Sequence, residues 1–137
     1  MKIKIPKRYF KYIEALFEVG ILEHQEVLSN IFMFGMTDTI EDLNTGAGEF
    51  PPDMDKNLLR GKEIELEIPY ELNEDQNEIV EEIQKLFRIK RKTVLKAFFL
   101  WGLFDQWIVL KDTERYKKDP KFRKLIDEMP HDLCFEL

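Results

Sequence analysis

The sequence predicts a mainly α fold with a short two-stranded antiparallel ribbon (α+β), followed by a C-terminal helical tail. Three observations carry this. Lys2-Ile3-Lys4-Ile5-Pro6 and Glu65-Leu66-Glu67-Ile68-Pro69 both alternate polar and apolar residues and both end in proline. Each is followed by an amphipathic helical pattern and then by a longer apolar one. The two longer patterns run in parallel, Val27-Leu28 to Gly35-Met36 against Val94-Leu95 to Gly102-Leu103, with apolar and glycine positions coinciding almost throughout.

The elements follow in order. Alternation with period two marks a half-buried strand, and proline ends it because it has no N–H for the ladder. Ile3 and Ile5 with Ile64, Leu66 and Ile68 form the expected inner face. Lys2 and Lys4 with Glu63, Glu65 and Glu67 form the outer one. Antiparallel pairing of the two strands within the chain sets lysine against glutamate, whereas like strands would set like charges together.

In the first copy Phe10, Ile13, Leu16 and Phe17 make one apolar stripe. In the second, Ile79, Ile83, Leu86 and Phe87 do so. Asn73 with Gln76 reads as a capping box. The strand offset is 63 and the helix offset 67, so the second copy carries four extra residues, expected around 70–73. The copies are then residues 1–36 and 62–110 of a domain spanning 1–110. The linker is 37–61, with turn signals at Gly46, Gly48, Pro51 and Pro52 and a short helix expected over 53–60. The tail, 111–137, is expected to hold a helix over 120–128 that stops near Pro130.

Composition narrows the function classes. Cys134 is the only cysteine, which excludes a disulfide framework. The first residues lack the apolar region of a signal peptide. The apolar stretch at 94–110 is interrupted by Lys96, Asp105 and Gln106. It is shorter than the roughly 20 residues of a bilayer span, so it reads as a buried helix with no membrane role. A cytoplasmic protein is expected. The net charge is −6, against the basic balance common in nucleic-acid binders. No phosphate loop, nucleophile elbow or HExxH occurs, so no enzymatic activity and no cofactor is expected. His131, Asp132, Cys134 and Glu136 lack a second ligand pair at zinc spacing, so no metal is expected either.

A strand ending in proline, an amphipathic helix, a tight turn and a second apolar helix resemble the ribbon–helix–helix family, here twice over. The resemblance covers residues 2–36 and 62–106. It implies two motifs in one chain forming a pseudo-dimer, and a transcriptional regulator whose ribbon reads double-stranded DNA in the major groove. The start of each second helix would hold a backbone phosphate. By this resemblance Lys2 and Lys4 on the ribbon, and Arg88, Lys90, Arg91 and Lys92 before and at the second long helix, are the DNA-binding residues. The sequence departs from the family pattern where the second helices begin. Glu23 and Lys90 stand there, and neither is a favoured N-cap. Copy one offers Glu23, His24, Gln25 and Glu26 where copy two offers its cations.

Three further features have plain readings. Arg115, Lys117, Lys118, Lys121, Arg123 and Lys124 lie among acids and read as a solvated, ion-paired surface. Trp101, Trp107, Phe98, Phe99 and Phe104 read as core. Leu133, Cys134, Phe135 and Leu137 are apolar enough to need a partner: the chain's own core, a second copy or another protein. The alternative function is a protein-interaction module on the same scaffold without DNA binding, suggested by the acidic balance, the Glu-lined strand and that apolar tail.

Overall fold

A computed structural model describes residues 1–45 and 59–133. Strand β1 (Lys2–Pro6) runs through a single 3-10 turn into α1 (Phe10–Val19), and α2 spans His24–Thr45. Strand β2 (Glu63–Glu67), α3 (Glu74–Phe87) and α4 (Arg91–Lys111) follow, then the short α5 (Glu114–Lys118) and α6 (Pro120–Asp132). The fold is mainly helical, with one two-stranded antiparallel sheet.

The strands pair as their charges require. Lys2 faces Glu67, Ile3 faces Leu66, Lys4 faces Glu65 and Ile5 faces Ile64. Ile3, Ile5, Leu66 and Ile68 are buried, while the two lysines and Glu63, Glu65 and Glu67 are exposed. Strand β2 begins two residues before the repeated pattern. Ile68, just beyond its end, still joins the ladder by donating its N–H to Met1 O at 2.7 Å. Such a ribbon is marginal alone. Here its apolar face lies in a core shared with Ile13, Leu16, Phe32, Val80, Ile83, Phe98 and Phe99.

The two strands lead into their helices differently. Residues 70–72 form an irregular connection ahead of α3, whereas β1 passes directly into the turn before α1. The capping box is present: Gln76 N–H donates to Asn73 Oδ1 at 2.8 Å and Asn73 N–H to Gln76 Oε1 at 3.0 Å.

Helices α2 and α4 form the principal helix pair. They cross at Gly35 and Gly102 at a distance that excludes side chains. A Cβ on Gly35 would lie 1.7 Å from Phe98 O and 2.6 Å from Gly102 N. One on Gly102 would lie 1.8 Å from Ile31 O and 3.0 Å from Gly35 N. Three residues beyond each glycine, Asp38 and Asp105 share a hydrogen bond across the pair. Burial, this bond and the nearby Asp42 push the Asp105 carboxyl up to about 8. Its Oδ2 has no hydrogen-bond partner among the described residues. Desolvation and neighbouring negative charge both favour the protonated acid.

Several expectations need correction. Helix α2 does not stop at Met36. It continues through the first nine residues assigned to the linker, because 37–45 contains no glycine or proline and Thr39, Ile40 and Leu43 extend the inward stripe. Gly46, Gly48, Pro51 and Pro52, and all but the last two residues of the short helix expected over 53–60, lie outside the described residues; Leu59 and Arg60 are not helical. Leu86 is 72% exposed, and Val80 takes the inner position beside Ile83. Pro130 does not stop α6. It sits in the last turn and, having no N–H, gives up one i→i−4 bond there. Buried Met129 and Leu133 hold that turn, with Leu133 N–H donating to Met129 O at 2.9 Å. Of the aromatic group read as core, Phe98 and Phe99 are fully buried, but Trp101, Phe104 and Trp107 are only half-buried at the rim.

The tail packs on the rest of the chain. Phe122, Ile126, Met129 and Leu133 join the common core, and Tyr12 donates its hydroxyl to Asp132. Burial and that carboxylate raise the Tyr12 phenol well above its usual range. Cys134, Phe135, Glu136 and Leu137 lie outside the described residues. By length and composition α4 is apolar enough to cross a membrane, but half of its most apolar window is buried within the fold.

Candidate nucleic-acid interface

The outer ribbon face is set by the strand register. It presents Lys2, Lys4, Glu63, Glu65 and Glu67, all exposed. Two lysines among three glutamates leave it slightly negative. Its two ends differ. At the end where Pro6 pairs with Glu63, Lys96 of α4 reaches Glu63 at 2.6 Å. This hydrogen-bonded ion pair, with the fields of Lys4 and Lys92, holds the Glu63 carboxyl below the usual carboxylate range. Lys96 thus bonds Glu63 directly, while Lys4 and Lys92 act on it through their fields.

The start of α4 lies beside this end. Lys90 occupies the N-cap with extended backbone and no side-chain cap. Its carbonyl accepts from Thr93 N at 3.0 Å and Val94 N at 3.2 Å. Arg88 closes α3 in the left-handed conformation, φ 54°, and Ile89 N–H returns to Gln84 O at 3.2 Å. Arg91 donates to Asn77 Oδ1 at 2.7 Å. Arg88, Lys90, Arg91 and Lys92 are all exposed. The structure therefore brings Lys4 and Lys92 together around Glu63. Lys2 is at the other end of the ribbon, opposite Glu67.

The corresponding start of α2 is different in charge. Glu23, His24, Gln25 and Glu26 are exposed there, and the His24 ring stacks on Phe17 with centroids 3.9 Å apart. Where α4 has Lys96, α2 has Ser29, whose hydroxyl donates to Pro69 O at 3.2 Å.

The basic run of the tail is largely engaged. Arg115 pairs with Glu18 and Asp119, Lys118 with Glu114, and Arg123 donates to the Tyr116 and Lys117 carbonyls. Among the described residues no cluster of His, Cys, Asp and Glu is arranged to hold a metal. Sequence reasoning missed Lys96, which reads as an interruption in an apolar helix. Its signal is a cation three residues past Thr93, one turn into a helix that packs against the strand. The chain matches no protein-family model, no curated protein and no solved structure.

Proposed function

We propose that the chain is a tandem ribbon–helix–helix protein that binds duplex DNA through its ribbon, with the α4 side supplying the phosphate grip. The pseudo-dimer reading is supported by reciprocal contacts. Ile3 and Leu66, 63 residues apart, face each other at the ribbon's centre. Gly35 and Gly102, 67 apart, meet backbone to backbone, each against the residue four before the other. Asp38 and Asp105, also 67 apart, share a hydrogen bond. Contacts in which i meets j and j meets i are those of a two-fold interface.

The observation that carries the DNA reading is the exposed ribbon end where Lys4, Lys92 and Lys96 surround Glu63 beside the uncapped start of α4. Backbone N–H groups and cations at a helix start suit a phosphate. A carboxylate between lysines can still accept from a cytosine amino group. The acidic start of α2 makes the binding lopsided.

Fluorescence anisotropy with a labelled duplex at 50 and 200 mM salt tests this. Affinity should fall steeply with salt, because phosphate contacts release counterions. Lys90→Ala with Arg91→Ala should weaken binding on all sequences alike. No binding to any duplex at low salt overturns the proposal. The second reading, a protein-interaction module, is favoured by the net negative ribbon face, and retention of a protein partner without DNA affinity would support it.

A further inference from the structure

We propose a second phosphate-binding site, in the groove where the ribbon runs into α1, which takes a backbone phosphodiester of the same duplex. This rests on the DNA-binding reading above. The groove has a volume of about 520 Å³, and four of its lining residues are cations, Lys7, Arg8, Lys11 and Lys62, against the single carboxylate of Glu14.

The backbone fixes these cations in place. Lys7 N–H donates to Lys62 O at 2.7 Å, one step beyond the Pro6–Glu63 pair. The ladder therefore ends with two lysines, one just past the end of β1 and one just before β2. Arg8 donates to Arg60 O and, at 2.9 Å, to the Tyr9 hydroxyl, and it lies over the Tyr9 ring. It thereby ties down the turn at Gly61. That turn has φ 109°, and a Cβ there would fall 2.9 Å from Arg8 Nη1, so only glycine keeps the groove's wall in this position.

The charges are unevenly satisfied. The Lys11 amine lies 3.7 Å from Asp132 and 3.9 Å from Glu128. No ion pair engages Lys7 or Lys62 among the described residues, and both are exposed. Around the same ribbon end stand Lys4, Lys92 and Lys96. The cations at the start of α4 and those in the groove thus flank one end of one ribbon. Lysine serves as a mobile point charge that binds phosphate without needing a planar partner. A ribbon in the major groove has a phosphate backbone on either side. At the other end of the ribbon Lys2 faces Glu67, and the N-terminal ammonium is held by the Ile68 carbonyl.

The test uses the full chain and one labelled 20-base-pair duplex, titrated at several salt concentrations. Lys7→Glu with Lys62→Glu should weaken binding roughly tenfold and flatten the log K against log salt slope by about 1–2, since each phosphate contact contributes about 0.9. Lys121→Glu with Lys124→Glu makes the same change of net charge on α6 and should leave the slope unaltered. Amine-reactive footprinting of the unmodified chain provides a readout free of folding effects. The duplex should protect Lys7 and Lys62 and leave Lys121 and Lys124 reactive. Binding with an unchanged slope in the Lys7/Lys62 variant, an equal loss in the α6 control, or protection by polyglutamate but not by duplex overturns the second site and leaves the DNA reading standing. Failure of the unmodified chain to bind any duplex overturns both.

Discussion

Replacing Gly35 by alanine should destabilise the fold even though alanine is the better helix former. The Cβ of Gly35→Ala would lie 1.7 Å from Phe98 O and 2.8 Å from Phe98 C, both backbone atoms of α4. No rotamer change relieves such a clash, so the helices must separate by roughly 1.5 Å to reach ordinary contact. Ile31, Phe32, Met36, Phe98, Phe99 and Leu103 around the crossing are at most 2% exposed. A gap of 0.5–1 Å already forfeits about a quarter to a half of a dispersion contact. Overpacking typically costs about 1–3 kcal/mol, and rigid backbone on both sides puts this site at or above the upper end. The helix propensity of alanine returns about 1 kcal/mol. The net loss is about 2 kcal/mol, a fall in Tm of roughly 8 °C for a chain of this size. Circular dichroism melts and urea titrations of Gly35→Ala and Gly102→Ala measure it, with exposed Thr37→Ala as the control. Both glycines serve one crossing, so the double variant should cost less than the sum of the singles. An alanine variant as stable as the parent would refute the close approach.

Two further outcomes follow from the ribbon and from the Asp38–Asp105 contact. Lys2→Glu with Lys4→Glu should lower stability by up to about 2 kcal/mol, at roughly 0.2–1 kcal/mol per cross-strand pair. Adding Glu65→Lys and Glu67→Lys should restore it, and a half-swap with unchanged urea midpoint would show that the register owes nothing to charge. Asp105 holds its proton to about pH 8 in the folded chain, against about 3.9 when unfolded. The native state therefore binds the extra proton between these values. Stability from this group is full below pH 4 and is lost as pH rises to 8. Asp105→Asn should be more stable than the parent at pH 8.5 and gain little at pH 4, and an advantage independent of pH would exclude the shared proton.

Much of the fold was legible because its signals are local. Alternation and proline mark β1 and β2. The Asn73–Gln76 box marks the start of α3, and the glycines mark the α2 and α4 positions that meet. The extension of α2 past Met36 was less legible. Its inward residues Thr39, Ile40 and Leu43 continue a stripe that has no counterpart in a comparison ending at Met36. The candidate site was legible only as separate charges. That Lys96 would answer Glu63, 33 residues away, depends on the packing of α4 against the ribbon. That Lys7 would lie beside Lys62 depends on the strand register.

The core and the surface of this chain are constrained in different ways. Gly35 meets Gly102, Asp38 meets Asp105 and Ile3 faces Leu66. A change at one is felt at once by the other, so substitutions along this line are coupled. Glu23 and Lys90 are both exposed, at separate helix starts. Nothing in the packing couples them, and one can turn acidic while the other stays basic. Core contacts are thus coupled in pairs, while the exposed helix starts vary independently. Under the proposed DNA reading, the end of the ribbon where Lys96 pairs with Glu63 is where the phosphate backbone would lie. On the same reading, the exposed Glu23 and Glu26 at the start of α2 would disfavour a second phosphate backbone without any cost to the fold.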